Sequence, residues 1–354
     1  VNYHIFRVGT HKSAVEPYMR DDMSPEDREA SLGFLNVLWD HYKQGVALSR
    51  KLKPADIEAY VSGYVENLKL AGGDSAQLAL KAKLIDGFKT RDQWRDHMVG
   101  IVGKDKEEKT YKHILFQDYL NIIRPPVELP HPNRDKIAII VAKGEILDGE
   151  QPAGTIGGDT LSQLIRQARE DRRVKALVLR VDSPGGSAFA SELIRRELEI
   201  TQQAGKPLVV SMGTYAASGG YWISATADEI IAAPTTITGS IGIYGMLPTF
   251  EQPLNNWGIH SDGVGTTPLA GALDLTRPLN PALGEAIQQH INHGYDRFIK
   301  LVSGGRKMSP EQVNDIAQGR VWVGSKALEL GLVDKLGELD DAVKSAAARA
   351  KLSD

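Results

Sequence analysis

Residues 176–186 read Ala-Leu-Val-Leu-Arg-Val-Asp-Ser-Pro-Gly-Gly. The run 176–181 is short, apolar and interrupted only by Arg180, which is the pattern of a strand buried inside a sheet. The proline and paired glycines behind it set a tight turn at the entrance to a helix. The same pattern continues on both sides. Residues 137–141 (Ile-Ala-Ile-Ile-Val) are β-formers, and segment 160–171 places Leu161, Leu164, Ile165 and Ala168 at helical spacing. A helix is expected through 192–203, a strand at 207–212 and a further helix from near Ser218. Strand, glycine turn and helix in alternation predict α/β architecture with largely parallel strands. In such sheets, sites form where strands end and helices begin.

Two of these strand ends have chemical potential. At Asp182-Ser183-Pro184-Gly185-Gly186, bare backbone N–H groups at a helix entrance can face an anion or a developing oxyanion; the same glycines also suit a plain turn needing positive φ. At Tyr215-Ala216-Ala217-Ser218-Gly219-Gly220, a serine between small residues starts a helix, where it is either an exposed nucleophile or an ordinary N-cap. A nucleophile needs a base. None of His113, His131, His260, His290 and His293 adjoins a strand-end glycine motif.

An offset of 256 aligns a second pattern with the first. Val8-Gly9-Thr10-His11-Lys12 matches Val264-Gly265-Thr266-Thr267-Pro268, and the register continues through Pro25/Pro281, Asn36/Asn292, Asp40/Asp296 and Arg50-Lys51/Arg306-Lys307 to Pro54/Pro310. An offset of 248 then pairs Ala79-Leu80 and Leu84-Ile85-Asp86 with Ala327-Leu328 and Leu332-Val333-Asp334. This is the signature of a tandem duplication. Lysine stands at position 12, and proline in the second copy, so a base kept only by the first repeat would serve a serine in the second.

The chain divides on this reading into 1–103, the C-terminal part of the first repeat; a linker, 104–135; the second repeat, 136–345; and a tail, 346–354. Residues 1–7 read as a strand. Ser24-Pro25-Glu26-Asp27 opens a helix with a cap, proline in the first turn and acids at the positive end of the dipole. Leu35, Leu38, Trp39 and Tyr42 share one helical face, which is expected to be buried. The linker is charged at 104–109 and dotted with Pro125, Pro126, Pro130 and Pro132. Because 136–263 precede Val264 but only 1–7 precede Val8, and the chain starts with Val1, the expectation is a fragment without the front of repeat one. Its first strand would lack neighbours, and the isolated chain would be unstable or inactive.

The 354 residues are 42% hydrophobic and 25% charged, ordinary for a globular protein with room for two cores. A net charge of −3 gives no reason to expect nucleic acid as a partner, and the absence of cysteine excludes disulfides and thiolate metal sites. No apolar run reaches the ~18 residues of a membrane span.

The segments around Ser218 and Asp182-Ser183-Pro184-Gly185-Gly186, together with Thr238-Gly239-Ser240-Ile241-Gly242 and Val8-Gly9-Thr10-His11-Lys12-Ser13-Ala14-Val15-Glu16-Pro17, resemble the long, duplicated form of bacterial signal peptide peptidase A, the protease IV type. The resemblance covers nearly the whole chain. It implies a Clp-protease/crotonase-like fold and a Ser/Lys dyad needing no cofactor or metal, with Ser218 as nucleophile and Lys12 as general base. Ser240 would bond the lysine, and Gly185, Gly186 and Gly219 would form the oxyanion hole. It also implies hydrophobic signal-peptide remnants as substrates, a homotetramer, and a place on the periplasmic face of the bacterial inner membrane through an anchor segment outside this chain. The chemistry is self-consistent: a lysine amine, ordinarily near 10.4, becomes a useful base once burial lowers it. Ile241, Ile243, Tyr244, Met246 and Leu247 suit either an apolar peptide groove or core. Two other classes fit parts of the pattern: a crotonase-like acyl-CoA enzyme, which gives Ser218 and Lys12 no role, and a non-catalytic oligomeric scaffold.

Overall fold

The computed structural model describes residues 1–105, 110–123, 135–263 and 269–352. The stretch 264–268 with Pro268, most of the charged run after Asp105, His131 and the linker prolines lie outside the described residues. Two compact units emerge, one made of Val1–Leu38 with Asp135–Asp354 and the other of Trp39–Arg134.

The first unit is built on a seven-stranded sheet. Its backbone order is Val321–Val323, Ile237–Gly239, Leu208–Ala217, Val174–Ser183 and Lys136–Lys143. Glu229–Ala232 also pairs with Leu208–Ala217 and in turn carries Lys335–Leu336. All of these pairs are parallel except Val321–Val323 with Ile237–Gly239. The expected strands and helices all occur, the helices as Gly158–Glu170, Ala188–Gln203 and a single turn, Gly219–Trp222.

Strand Val174–Ser183 is apolar over 176–179 and at Val181 because both faces are covered there. Leu177, Leu179 and Val181 pack into the larger core with Leu161, Ile165, Ile194 and Phe298, whereas Ala176 and Val178 meet Ala342 and Ala346 on the other side. Covered faces are what parallel strands require. Helix Leu339–Arg349 supplies the second layer, and it extends beyond residue 345, with Ala346 fully buried.

The first strand is not isolated. Asn2–Val8 pairs antiparallel with Ile243–Thr249 along all seven residues, from Asn2 opposite Thr249 to Val8 opposite Ile243. Tyr3 stays exposed, but Phe6 is buried within this chain. This removes the reason for expecting instability.

The helix Pro25–Arg50 begins where Ser24 predicts, with Ser24 Oγ accepting the Asp27 N–H at 3.0 Å. Its expected buried face is a correction. Leu35 and Tyr42 are 50% and 60% exposed, and the buried positions are Ala30 and Ala47. Helical spacing creates a stripe, but burial requires another element over it.

The second unit is helical, with Pro54–Ser62, Tyr64–Leu70, Ser75–Lys81 and Arg91–Val102, and the stretch read as linker contains a further helix, Phe116–Ile123. In it, Arg50 bonds both carboxylate oxygens of Asp86 and donates to the Lys83 carbonyl. In the first unit Arg306 does the same to Asp334 and the Gly331 carbonyl. Pro25–Arg50 and Pro281–Arg306 are each 26 residues long and start at the aligned prolines.

Candidate active site

Two parallel strands deliver the central groups. Leu208–Ala217 ends at Ser218, whose φ of 53° and ψ of −118° make the chain turn sharply into Gly219–Trp222. A non-glycine residue in that region carries strain of order 1–3 kcal/mol. Here the Ser218 N–H donates to Gly239 O at 2.9 Å and its carbonyl accepts the Trp222 N–H at 2.9 Å, so the turn is held from both sides. Strand Val174–Ser183 ends at the glycine turn. A side chain on Gly185 would place Cβ 2.7 Å from the Ser218 Cβ, and one on Gly186 would meet the Ile146 carbonyl at 2.0 Å. Ser183 Oγ already accepts the Gly185 N–H at 3.1 Å, so this glycine contributes space rather than a donor. The N–H groups of Gly186 and Gly219 have no acceptor among the described residues. They sit close together, a Cβ on Gly219 falling 3.2 Å from the Gly186 nitrogen.

Lys12 enters from the loop after Asn2–Val8. Its amine donates to Ser218 Oγ at 3.1 Å, to Ser240 Oγ at 3.0 Å and to the Ser240 carbonyl at 3.1 Å. The residue is 5% exposed, and burial pushes the amine down from 10.5 to about 8. The structure therefore brings Lys12, Ser218, Ser240, Gly185, Gly186 and Gly219 to one place.

A cleft of about 850 Å³ opens over Lys12, Gly185, Gly186, Ser218 and Ser240, and Ile243, Tyr244 and Met246 form part of its wall. Ile241 is core, fully buried. A hollow of about 700 Å³ in the helical unit, between Asp86 and His97, contains none of the predicted site residues. Of the histidines, His260 bonds Asn255 and His290 the Ala286 carbonyl.

Sequence reading missed the support behind the lysine. Arg7 Nη1 donates to the Lys12 carbonyl at 3.0 Å and lies 3.9 Å from the buried Glu16 carboxylate, which accepts the Ser24 N–H. Spacing within the segment holds no sign of this pairing.

The model of peptidase family S49 matches residues 1–100, which contain Lys12, and 200–353, which contain Ser218 and Ser240. This chain belongs to peptidase family S49. Protease 4 of Salmonella typhi is 47% identical to the S49 chain over 352 residues, 99% of this chain and 56% of that protein. A putative signal peptide peptidase SppA of Enterococcus faecium is 33% identical over 267 residues, 72% of this chain and 76% of that protein. The S49 chain thus spans little more than half the length of Protease 4. Among solved structures, a ClpP1 mutant from Listeria monocytogenes aligns with 58% of this chain and 94% of its own at 15% identity and a TM-score of 0.38. No described helix of the S49 chain is long and apolar enough to cross a membrane.

Proposed function

We propose that the chain carries the catalytic machinery of a serine endopeptidase, with Ser218 as nucleophile and Lys12 as general base. The observation that supports this most directly is the buried amine 3.1 Å from the Ser218 hydroxyl. Neutral Lys12 takes the hydroxyl proton as Ser218 Oγ attacks the scissile carbonyl. The oxyanion is received by the N–H groups of Gly186 and Gly219, with Gly185 leaving room for it. The protonated amine then hands its proton to the leaving nitrogen, which departs as an acyl-enzyme forms. In the second half the amine takes a proton from water, the hydroxide opens the ester, and the proton returns to Ser218. Ser240 keeps the amine in line through both its hydroxyl and its carbonyl. The acyl-CoA reading leaves the amine–serine contact without a use.

The substrates on this reading are apolar peptides, including signal-peptide remnants; the apolar wall of Ile243, Tyr244 and Met246 supports it, as does the name of the Enterococcus faecium relative. The division into two repeats, with a base from one and a nucleophile from the other, is part of the same proposal, and the recurring arginine–aspartate clamp supports it. So are the homotetramer and the periplasmic face of the inner membrane. Labelling with a fluorophosphonate tests the chemistry. The parent chain is expected to label and to release a fluorogenic apolar peptide, and both Ser218→Ala and Lys12→Ala are expected to lose labelling. Undiminished labelling of Lys12→Ala would sink the dyad.

A further inference from the structure

We infer that the loop Gln318-Gly319-Arg320 is a positioning splint that sets the distance between the Lys12 amine and Ser240, and that Asn314 is its remote anchor. The inference rests on the dyad proposed above. Three backbone hydrogen bonds tie this loop to both sides of the site. The Gln318 carbonyl accepts the His11 N–H at 2.9 Å, the Gly319 N–H donates to Ile241 O at 2.8 Å, and the Arg320 carbonyl accepts the Ser240 N–H at 2.7 Å. One side therefore holds the residue before the lysine, and the other holds Ser240 and its neighbour.

The contact is backbone against backbone. A Cβ on Gly319, whose φ is +78°, would lie 2.8 Å from the Lys12 Cβ and backbone nitrogen, and one on Gly9 would lie 2.5 Å from the Gln318 carbonyl. Only glycine allows chains to approach this closely at such a φ. Ser240 itself sits at a φ of 49°, and the Arg320 carbonyl holds its N–H there.

The loop is fixed from behind. Asn314 Oδ1 accepts from Tyr295 Oη at 2.8 Å and from Gln318 Nε2 at 2.8 Å, and the Tyr295 oxygen accepts the Gln318 N–H at 3.3 Å. Gln318, with a φ of 54°, is thereby held in a conformation it would otherwise leave. Of the charged and titratable groups around the site, His11, Asp27, Glu145 and Tyr244 on the cleft, Arg320 on the splint and Arg7 and Glu16 beside the lysine segment, none makes a hydrogen bond to the Lys12 amine.

The test compares Gly319→Ala, Asn314→Leu and Asn314→Asp with Lys12→Ala in the full chain, reading kcat, KM, the pH profile and the thermal melt on a fluorogenic apolar peptide. Displacing a base by about 1 Å costs on the order of a hundredfold in rate. Gly319→Ala is expected to lose about that much in kcat with KM little changed, and the acid limb of its profile should move up by about one pH unit as the amine gains water. Asn314→Leu should show the same direction with a loss of about tenfold, and Asn314→Asp, which keeps the acceptor oxygen, should recover most of the parental kcat. If Gly319→Ala does not melt cooperatively, the Asn314 pair carries the test. Parental kcat and an unmoved acid limb in Asn314→Leu, or equal loss in Asn314→Leu and Asn314→Asp, would overturn the splint. Lys12→Ala separates the two readings: if it stays active, the dyad itself fails, whereas an inactive Lys12→Ala beside an unaffected Asn314→Leu leaves the dyad and removes the splint.

Discussion

Lys12 has three oxygen neighbours within 3.1 Å of its amine, and none of them is a carboxylate. Burial is therefore uncompensated by an opposite charge, and the amine falls to about 8. In the proposed dyad the neutral form is the base, so kcat/KM on a peptide substrate should rise through an acid limb near pH 8; a limb near pH 6 would instead point to a histidine. The same shift acts on stability. An unfolded lysine keeps its proton up to about 10.5 and the folded one releases it near 8, so between these values the unfolded state binds more protons and stability rises with pH. Below pH 8 the charged, buried amine costs the fold about 3 kcal/mol. Lys12→Met is thus expected to melt above the parent at pH 7, with the gap closing between pH 8 and 10.5. A gap that does not change with pH would contradict this account. At the proposed oxyanion site, Gly219→Ala would drive a methyl to 2.6 Å from Ser191 Oγ and turn the N–H away, so loss of activity on the order of a hundredfold is expected with substrate binding retained.

Among the elements, the helix Pro25–Arg50 shows what local chemistry does and does not settle. Its start was legible because Ser24, Pro25 and two acids act within one turn. Ser24 is also 4% exposed and its own N–H donates to Glu16 at 3.1 Å, a link to the lysine loop that no cap rule contains. Ser24→Ala should cost about 1 kcal/mol in urea unfolding through the lost cap. Glu16→Ala should cost more, because it leaves both Ser24 and Arg7 without the carboxylate. The exposure of Leu35 and Tyr42 was not legible, since a stripe of apolar residues specifies a face and not its cover. The strand Asn2–Val8 was recognised as a strand, but its partner, Ile243–Thr249, lies more than two hundred residues away.

Across the whole molecule, the clamp of arginine on aspartate occurs twice in matching register but in different surroundings. Arg306 has a side chain only 7% exposed, whereas Arg50 pairs with an Asp86 that is 89% exposed. Arg306→Ala is expected to lower the unfolding free energy by about 2 kcal/mol, since it removes a buried guanidinium that bonds both the half-exposed Asp334 and the Gly331 carbonyl. Arg50→Ala should leave the denaturation midpoint little changed. Sequence alone determined the alternation of strand and helix, the glycine turns, the caps and the asymmetry of lysine against proline, because each acts over a few residues or repeats in register. The pairing of Lys12 with Ser218, 206 residues apart, followed in the sequence from the lysine kept in one repeat alone and from a family resemblance. Its distance, its dry surroundings and the loop behind it were decided by tertiary structure. The desolvation that lowers the Lys12 amine comes from segments remote in the chain, brought together only when the sheet, its helices and the first strand have folded around it.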